Sequence, residues 1–294
     1  MKGAFDVNKP LHVLQEEWDG CRDCSLGELR DLRGGQQVFG AGTGKRGILF
    51  LGSEFGVHEE REGRPLADKA GVFLAMVLQR YRISNYFVTN LTACRSCAPL
   101  VDESGVPYMT KGYGGRPPEP RYKDQRALKT QIDACANRVF EEIYLVDPIL
   151  IVTMGQLAAA TLRGSSFNMT RERGQSEIIE IPGAGVTAVL SPKLKEWKRK
   201  VHGQMVAPVT RSKVKYLMLP TLHPAEVRAA INDDHKGNPF ELFTKDIRVA
   251  KKLYDAYNEE LYGHVPDDIS DAEDTPYDLA STFIEQDEDQ RNGE

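Results

Sequence analysis

Residues 141–164 read EEIYLVDPILIVTMGQLAAATLRG. A helical run stops at Asp147-Pro148, because proline lacks an N–H and pushes the residue before it out of the α region. Residues 149–155, ILIVTMG, follow as a continuous apolar run ending in a glycine turn, and QLAAATLRG then resumes helical spacing. A strand apolar on both faces and set between helices belongs to a parallel sheet covered on both sides.

The same signature recurs along the chain. Residues 47–52 (GILFLG), 86–91 (YFVTNL) and 216–222 (YLMLPTL) read as three more buried strands. VFLAMVLQRY (72–81) and ALKTQIDACANRVFEEIYLV (127–146) carry helical spacing. The expected class is α/β: a three-layer α/β/α sandwich with a central, mainly four-stranded parallel sheet. One domain is expected over 20–262, after an N-terminal extension (1–19) and before an acidic, disordered tail (263–294). Insertions are expected at about 95–123, rich in Gly and Pro over 101–123, and at 193–215.

The net charge of −5 averages two unlike parts. From His264 onward eleven acidic residues face only Arg291, giving −10 and leaving +5 on the remainder. Such a tail is solvating, or it covers a basic face as a polyanion mimic. Residues 193–215 hold eight Lys or Arg against one Glu, with Trp197 among them. A solvated loop and a phosphate-contacting loop both fit that composition. No apolar run approaches the ~20 residues of a membrane span, and the N-terminus lacks a secretory h-region. A cytoplasmic monomer without a membrane partner is the expectation.

LPTLHPAEVR (219–228) places His223 at the end of a strand, and Pro224 then forces the chain out of the sheet. Open α/β sheets bind ligands at the carboxyl ends of their strands. Asn90, at the end of YFVTN, stands at a second such end. Its amide offers a donor and an acceptor to one base edge, or serves as a turn residue. The N–H groups of GSEFG, from Gly52 to Gly56, can form a nest for an anion.

The five cysteines argue against a disulfide framework in a cytosolic chain. Cys21 and Cys24 form a C-x-x-C pair ahead of the first strand, Cys94 follows the second strand, and Cys135 lies in a helix. Four thiolates from three segments suit tetrahedral zinc or a [4Fe–4S] cluster, and spacing does not separate the two. Cys97 competes with Cys94 as the third ligand.

Five blocks in order resemble the family-four, iron–sulfur branch of the uracil-DNA glycosylase superfamily. They are CRDCSL, ILFLGSEFGVHEEREGRPLADKAG, VTNLTACR, QIDACANRVFEEIYLVDPILIVTMGQLAAATL and LPTLHPAEVR. The resemblance implies a DNA glycosylase of base-excision repair that hydrolyses the N-glycosidic bond of uracil, or a related modified pyrimidine, in DNA. It implies a [4Fe–4S] cluster of structural role on Cys21, Cys24, Cys94 and Cys135. His223 and Asn90 would act on the flipped base, with Glu59 or the shifted Glu54 orienting water. Gly52, Ser53, Phe55, Gly56 and Leu66 would line the substrate pocket.

Three positions depart from the family pattern. Ser53 stands where the family has glutamate, Phe55 where it has proline, and Leu66 where it has an aromatic residue that stacks on uracil. One base–aromatic contact is worth about 1–3 kcal/mol. The alternative these departures support is a catalytically weak or inactive DNA-binding or regulatory protein on the same scaffold.

Overall fold

The computed structural model describes residues 11–43, 45–111, 118–181, 199–201, 204–206, 214–230 and 238–262. The chain begins with α1 (Leu11–Trp18), α2 (Ser25–Arg33), β1 (Ala41–Gly42), β2 (Ile48–Gly52), α3 (Val57–Glu62), α4 (Lys69–Arg80) and β3 (Tyr86–Asn90). It continues with β4 (Cys97–Pro99), β5 (Tyr122–Asp124), α5 (Lys129–Val146), β6 (Leu150–Met154), α6 (Gln156–Arg163), α7 (Met169–Glu172) and β7 (Glu177–Ile181). Last come β8 (Arg199–Val201), β9 (Gln204–Val206), β10 (Val214–Thr221), α8 (Pro224–Ala230) and α9 (Pro239–Tyr262).

The main sheet has the order β1-β3-β2-β6-β10-β7. Its four central strands, β3, β2, β6 and β10, are parallel, and they are the four continuous apolar runs of the sequence. Antiparallel β1 and β7 close the two edges. Edge strands need less apolar character: β7 alternates between exposed and buried, and β1 is two exposed residues.

Two apolar layers cover the sheet. On one face Phe50, Val88, Val152 and Leu219 meet α4, α8 and α9 through Phe73, Val77, Val227, Phe243 and Ile247. On the other, Leu49, Leu51, Phe87, Ile151 and Met218 meet α5 and α6 through Ile132, Val139, Ile143 and Ala158. α1, within the segment expected as an extension, packs on α5. Leu14 and Trp18 are buried there, and the Trp18 indole donates to Glu141 at 3.0 Å.

In the segment expected as an insertion at about 95–123, β4 pairs antiparallel with β5, which ends just beyond it, Cys97 opposite Asp124 and Pro99 opposite Tyr122. In the segment expected as an insertion at 193–215, β8 and β9 pair antiparallel; Trp197 lies outside the described residues, as does the acidic tail. Among the described residues no helix is long and apolar enough to cross a membrane.

Candidate active site and cysteine corner

The strand order sets the location. The chain leaves β2 toward α4 on one face and leaves β6 toward α6 on the other, so the carboxyl ends of β2 and β6 are the switch point at which open sheets form their binding crevice. Gly52 ends β2, paired with Asn90 on β3, and Gly155 directly follows β6. A Cβ on Gly52 would stand 2.0 Å from Asn90 Oδ1. The Asn90 amide therefore lies over the β2 backbone, and only glycine leaves it that place. Gly155 has φ +90°, a conformation side chains avoid, and a Cβ there would meet His223 Cβ at 3.4 Å. Asn90 and His223 thus lean inward from the two outer parallel strands, over neighbouring strands about 4.8 Å apart.

Both side chains keep polar atoms unused. Asn90 is only 8% exposed, and its side-chain amide has no hydrogen-bond partner among the described residues. Its polar atoms keep contact with solvent, which leaves them free to meet a ligand. His223 precedes α8, whose first turn it caps: its carbonyl accepts from Glu226 and Val227, and its Nδ1 accepts from the Ala225 N–H at 3.2 Å. Burial holds the imidazole below its ordinary 6.5, against the opposite pull of Glu226 and Asp68. The ring is then neutral at pH 7. With Nδ1 accepting, its one proton sits on Nε2, which is left as a donor.

The loop after β2 carries the other expected residues. The N–H groups of Ser53, Glu54 and Phe55 find no acceptor among the described residues, as an anion-favouring nest requires. Ser53 and Phe55 are buried. Leu66 sits at φ +59°, a strained conformation for a branched side chain, and packs against the α4 side of the core.

The two candidate carboxylates are engaged. Glu54 accepts from the Ala127 N–H at 2.7 Å, ahead of α5, and burial raises its pKa. Glu59 closes α3 at Gly56, accepting from that N–H at 3.1 Å. Burial, then the charge of the neighbouring Asp68, raise its pKa.

Asp68 was not among the residues singled out from sequence. It caps α4 through the Gly71 N–H at 2.8 Å and its charge reaches His223. The signal was present: an Asp directly before a helix, in PLADKAG.

At the far side of α5 the sulfurs gather. Cys21, Cys24, Cys94 and Cys135 interact electrostatically: Cys135 with each of the other three, and Cys24 with Cys21 and Cys94. Cys97 interacts instead with Arg33, Arg95, Glu60 and Asp124. Burial raises the Cys21 thiol to about 11 and the Cys94 thiol to about 12, so a bound metal would have to displace protons.

One gathered sulfur meets an N–H donor: Arg30 Nη1 lies 3.7 Å from Cys94 Sγ. Arg138, one helical turn along α5 from Cys135, brings a second positive charge, to the Cys135 sulfur. Cations beside the sulfurs favour their anionic form. No three His, Cys, Asp or Glu side chains among the described residues converge as the ligands of one metal ion do.

Comparison with known proteins follows the same lines. The sequence model described as the uracil DNA glycosylase superfamily matches residues 39–248. A type-4 uracil-DNA glycosylase of Sulfurisphaera tokodaii is 27% identical over 175 residues, which is 57% of this chain and 66% of that protein, just under two thirds of it. One of Saccharolobus solfataricus is 24% identical over 253 residues, 83% of this chain and 92% of that protein. One of Thermotoga maritima is 24% identical over 167 residues, 56% of this chain and 72% of that protein.

Proposed function

Because the chain belongs to the uracil DNA glycosylase superfamily, we propose that it hydrolyses the N-glycosidic bond of uracil, or of a related modified pyrimidine, in DNA. The observation that carries this reading is the pair of unpaired polar groups, the Asn90 amide and His223 Nε2–H, leaning over a crevice floored by glycine. A base reaches such a crevice only when its nucleotide is flipped out of the helix. Support for DNA as partner comes from the +5 charge of the chain ahead of its acidic tail.

The chemistry follows from the groups present. Asn90 gives its N–H to one uracil oxygen and accepts the neighbouring ring N–H, a pattern that cytosine does not offer. As the bond from the sugar carbon to the base nitrogen breaks, its electron pair stays with the base and negative charge grows on the base oxygens. His223 Nε2–H donates to that charge. A fixed neutral donor in a water-poor site stabilises the transition state more than it would in water. Water adds to the sugar carbon, and the proton it gives up neutralises the departing uracil anion, so that the products are the free sugar hydroxyl and neutral uracil. Ser53, whose hydroxyl has no partner among the described residues, and the Asp68–Glu59 pair are the groups we assign to holding that water. Glu54 accepts from the Ala127 N–H through one oxygen, and its second oxygen is a further group that could hold the water.

We further propose that Cys21, Cys24, Cys94 and Cys135 hold a [4Fe–4S] cluster, which spans a wider set of sulfurs than one zinc ion does. The guanidinium groups beside Cys94 and Cys135 support this. When bound, the cluster would serve as a covalent anchor for the segment before α2 and the loop after β3. An absorbance band in the visible blue on fresh protein tests it; colourless protein with one equivalent of zinc overturns it.

The test of activity is an oligonucleotide with a single uracil, incubated with protein and then treated with alkali. Wild type is expected to give strand cleavage, and His223→Ala to lose about 10²–10³-fold in rate. Salt-sensitive DNA binding with no cleavage by wild type would establish instead the non-catalytic DNA-binding protein that Ser53 and Leu66 suggest.

A further inference from the structure

Arg138 is wholly enclosed, among the largest fully buried side chains of the protein. From α5 it reaches toward the sheet. Nη1 donates to Glu142 Oε2 at 2.7 Å and to Thr89 Oγ1 at 3.2 Å, and Nη2 donates to the Asn90 carbonyl. Glu142 completes the set, accepting from the Thr89 hydroxyl at 2.5 Å and from the Gly40 N–H at 3.0 Å. A buried ion pair is seldom a net gain in stability, so its retention calls for a specific use.

The same guanidinium faces the cysteine corner. Cys135 lies one helical turn back on α5, and its sulfur interacts with Arg138. The Arg138 Nε–H has no hydrogen-bond partner among the described residues. An orphaned buried donor is rare, and here it belongs to a side chain one helical turn from Cys135. A protonated thiol is a weak acceptor; a metal-bound thiolate is a strong one. One rigid fork therefore joins a potential metal ligand to the carbonyl of the residue that leans over Gly52.

We propose that Arg138 is a positioning residue that couples occupancy of the cysteine site to the placement of Asn90. An occupied site gives the guanidinium its missing acceptor and fixes the plane of the fork. The fork in turn fixes the Asn90 peptide, and with it the direction of the side-chain amide. The catalytic consequence rests on the role proposed above for Asn90; the mechanical coupling does not.

Amide hydrogen exchange over Asn90–Thr92 tests it, on protein as purified and after iron is stripped with chelator and oxidant. In wild type, stripping is expected to speed exchange there about 10-fold. In Arg138→Lys, which keeps the charge beside Glu142 but loses the fork, exchange is expected to be fast with iron present and unchanged by stripping. If that variant folds poorly, the double variant Arg138→Met with Glu142→Leu removes both charges at similar volume and is expected to behave the same way. Iron-loaded variants are expected to show kcat lowered about 10-fold with KM within about 2-fold, as for other residues behind a metal ligand.

The proposal is overturned by wild-type exchange indifferent to stripping, by variants that respond as wild type does, or by a wild type that carries no iron. Coupled exchange in a wild type that releases no uracil would remove the base-reading role of Asn90 and leave the coupling standing.

Discussion

The two outer parallel strands end in parallel fashion. On β3, Thr89 precedes Asn90, and its hydroxyl is held by Glu142, which pairs with Arg138. On β10, Thr221 lies two residues before His223, and its hydroxyl is held by Asp246 at 2.9 Å, which pairs with Arg173 at 2.7 Å. Each inward-leaning side chain thus follows a threonine clamped by a buried acid and an arginine, both from α5 on one face, and from α9 and the residue after α7 on the other. The difference lies in the arginines. Arg138 is fully enclosed and lies one helical turn from Cys135, whereas the Arg173 side chain is 19% exposed and also bonds the Leu242 carbonyl. The Asn90 clamp thus borders the cysteine corner; the His223 clamp has no cysteine beside it among the described residues.

That contrast breaks first at Glu142. Glu142→Ala leaves Arg138 buried without its counter-charge, and the cost is expected to be about 3–5 kcal/mol in denaturant unfolding. A loss below about 1 kcal/mol would mean that water reaches Arg138 and the enclosure is not real.

Next in size is Gly52→Ala. The added methyl takes the place of Asn90 Oδ1, and misplacing a group by about 1 Å costs on the order of 10²-fold in rate. Uracil release should fall by that factor while the unfolding midpoint moves little. Unchanged turnover would show that the Asn90 amide does not work from above Gly52.

On the other clamp, Asp246→Ala is expected to cost less than Glu142→Ala, about 1–2 kcal/mol, because Arg173 can turn to solvent and only the Thr221 hydroxyl is left unpaired. Equal losses at the two acids would erase the distinction between the clamps.

The smallest effect concerns pH. Burial lowers the His223 pKa below 6.5. In the window from 6.5 down to that folded value the unfolded chain takes the proton first, so acid weakens the folded state there, while above 6.5 the group adds no pH dependence. Protonated Nδ1 can no longer accept from Ala225. The value of kcat/KM should therefore be flat from pH 7 to 8, with any His223 limb below 6.5 and absent in His223→Gln. A limb centred above 6.5 would mean that the imidazole acts in its charged form.

Much of this was legible in the chain. The four apolar runs became the four parallel strands because a strand buried on both faces cannot hide its composition. Gly52, Asn90 and His223 could be found because each ends such a run. What escaped were features whose partners lie far apart in sequence. Arg138 reads as an ordinary helix residue, and its meaning comes from Thr89 and Asn90, 49 and 48 positions away. α9 carries a readable stripe of Phe240, Phe243, Ile247 and Ala250, yet its Asp246 gains a role only where β10 ends. Nothing near Glu54 in the sequence announces that its carboxylate also accepts from the Ala127 N–H, 73 positions away.

The central claim is that a neutral His223, protonated on Nε2, and the unpaired Asn90 amide face one ligand across the glycine floor. Nitrogen NMR of the imidazole and of the asparagine amides, recorded at pH 7 with and without free uracil, tests it most directly. The account expects an Nε2–H tautomer whose proton shifts on adding uracil, together with the Asn90 side-chain amide and not in Asn90→Ala. A charged ring, a proton on Nδ1, or uracil-induced shifts that leave both groups untouched would contradict it.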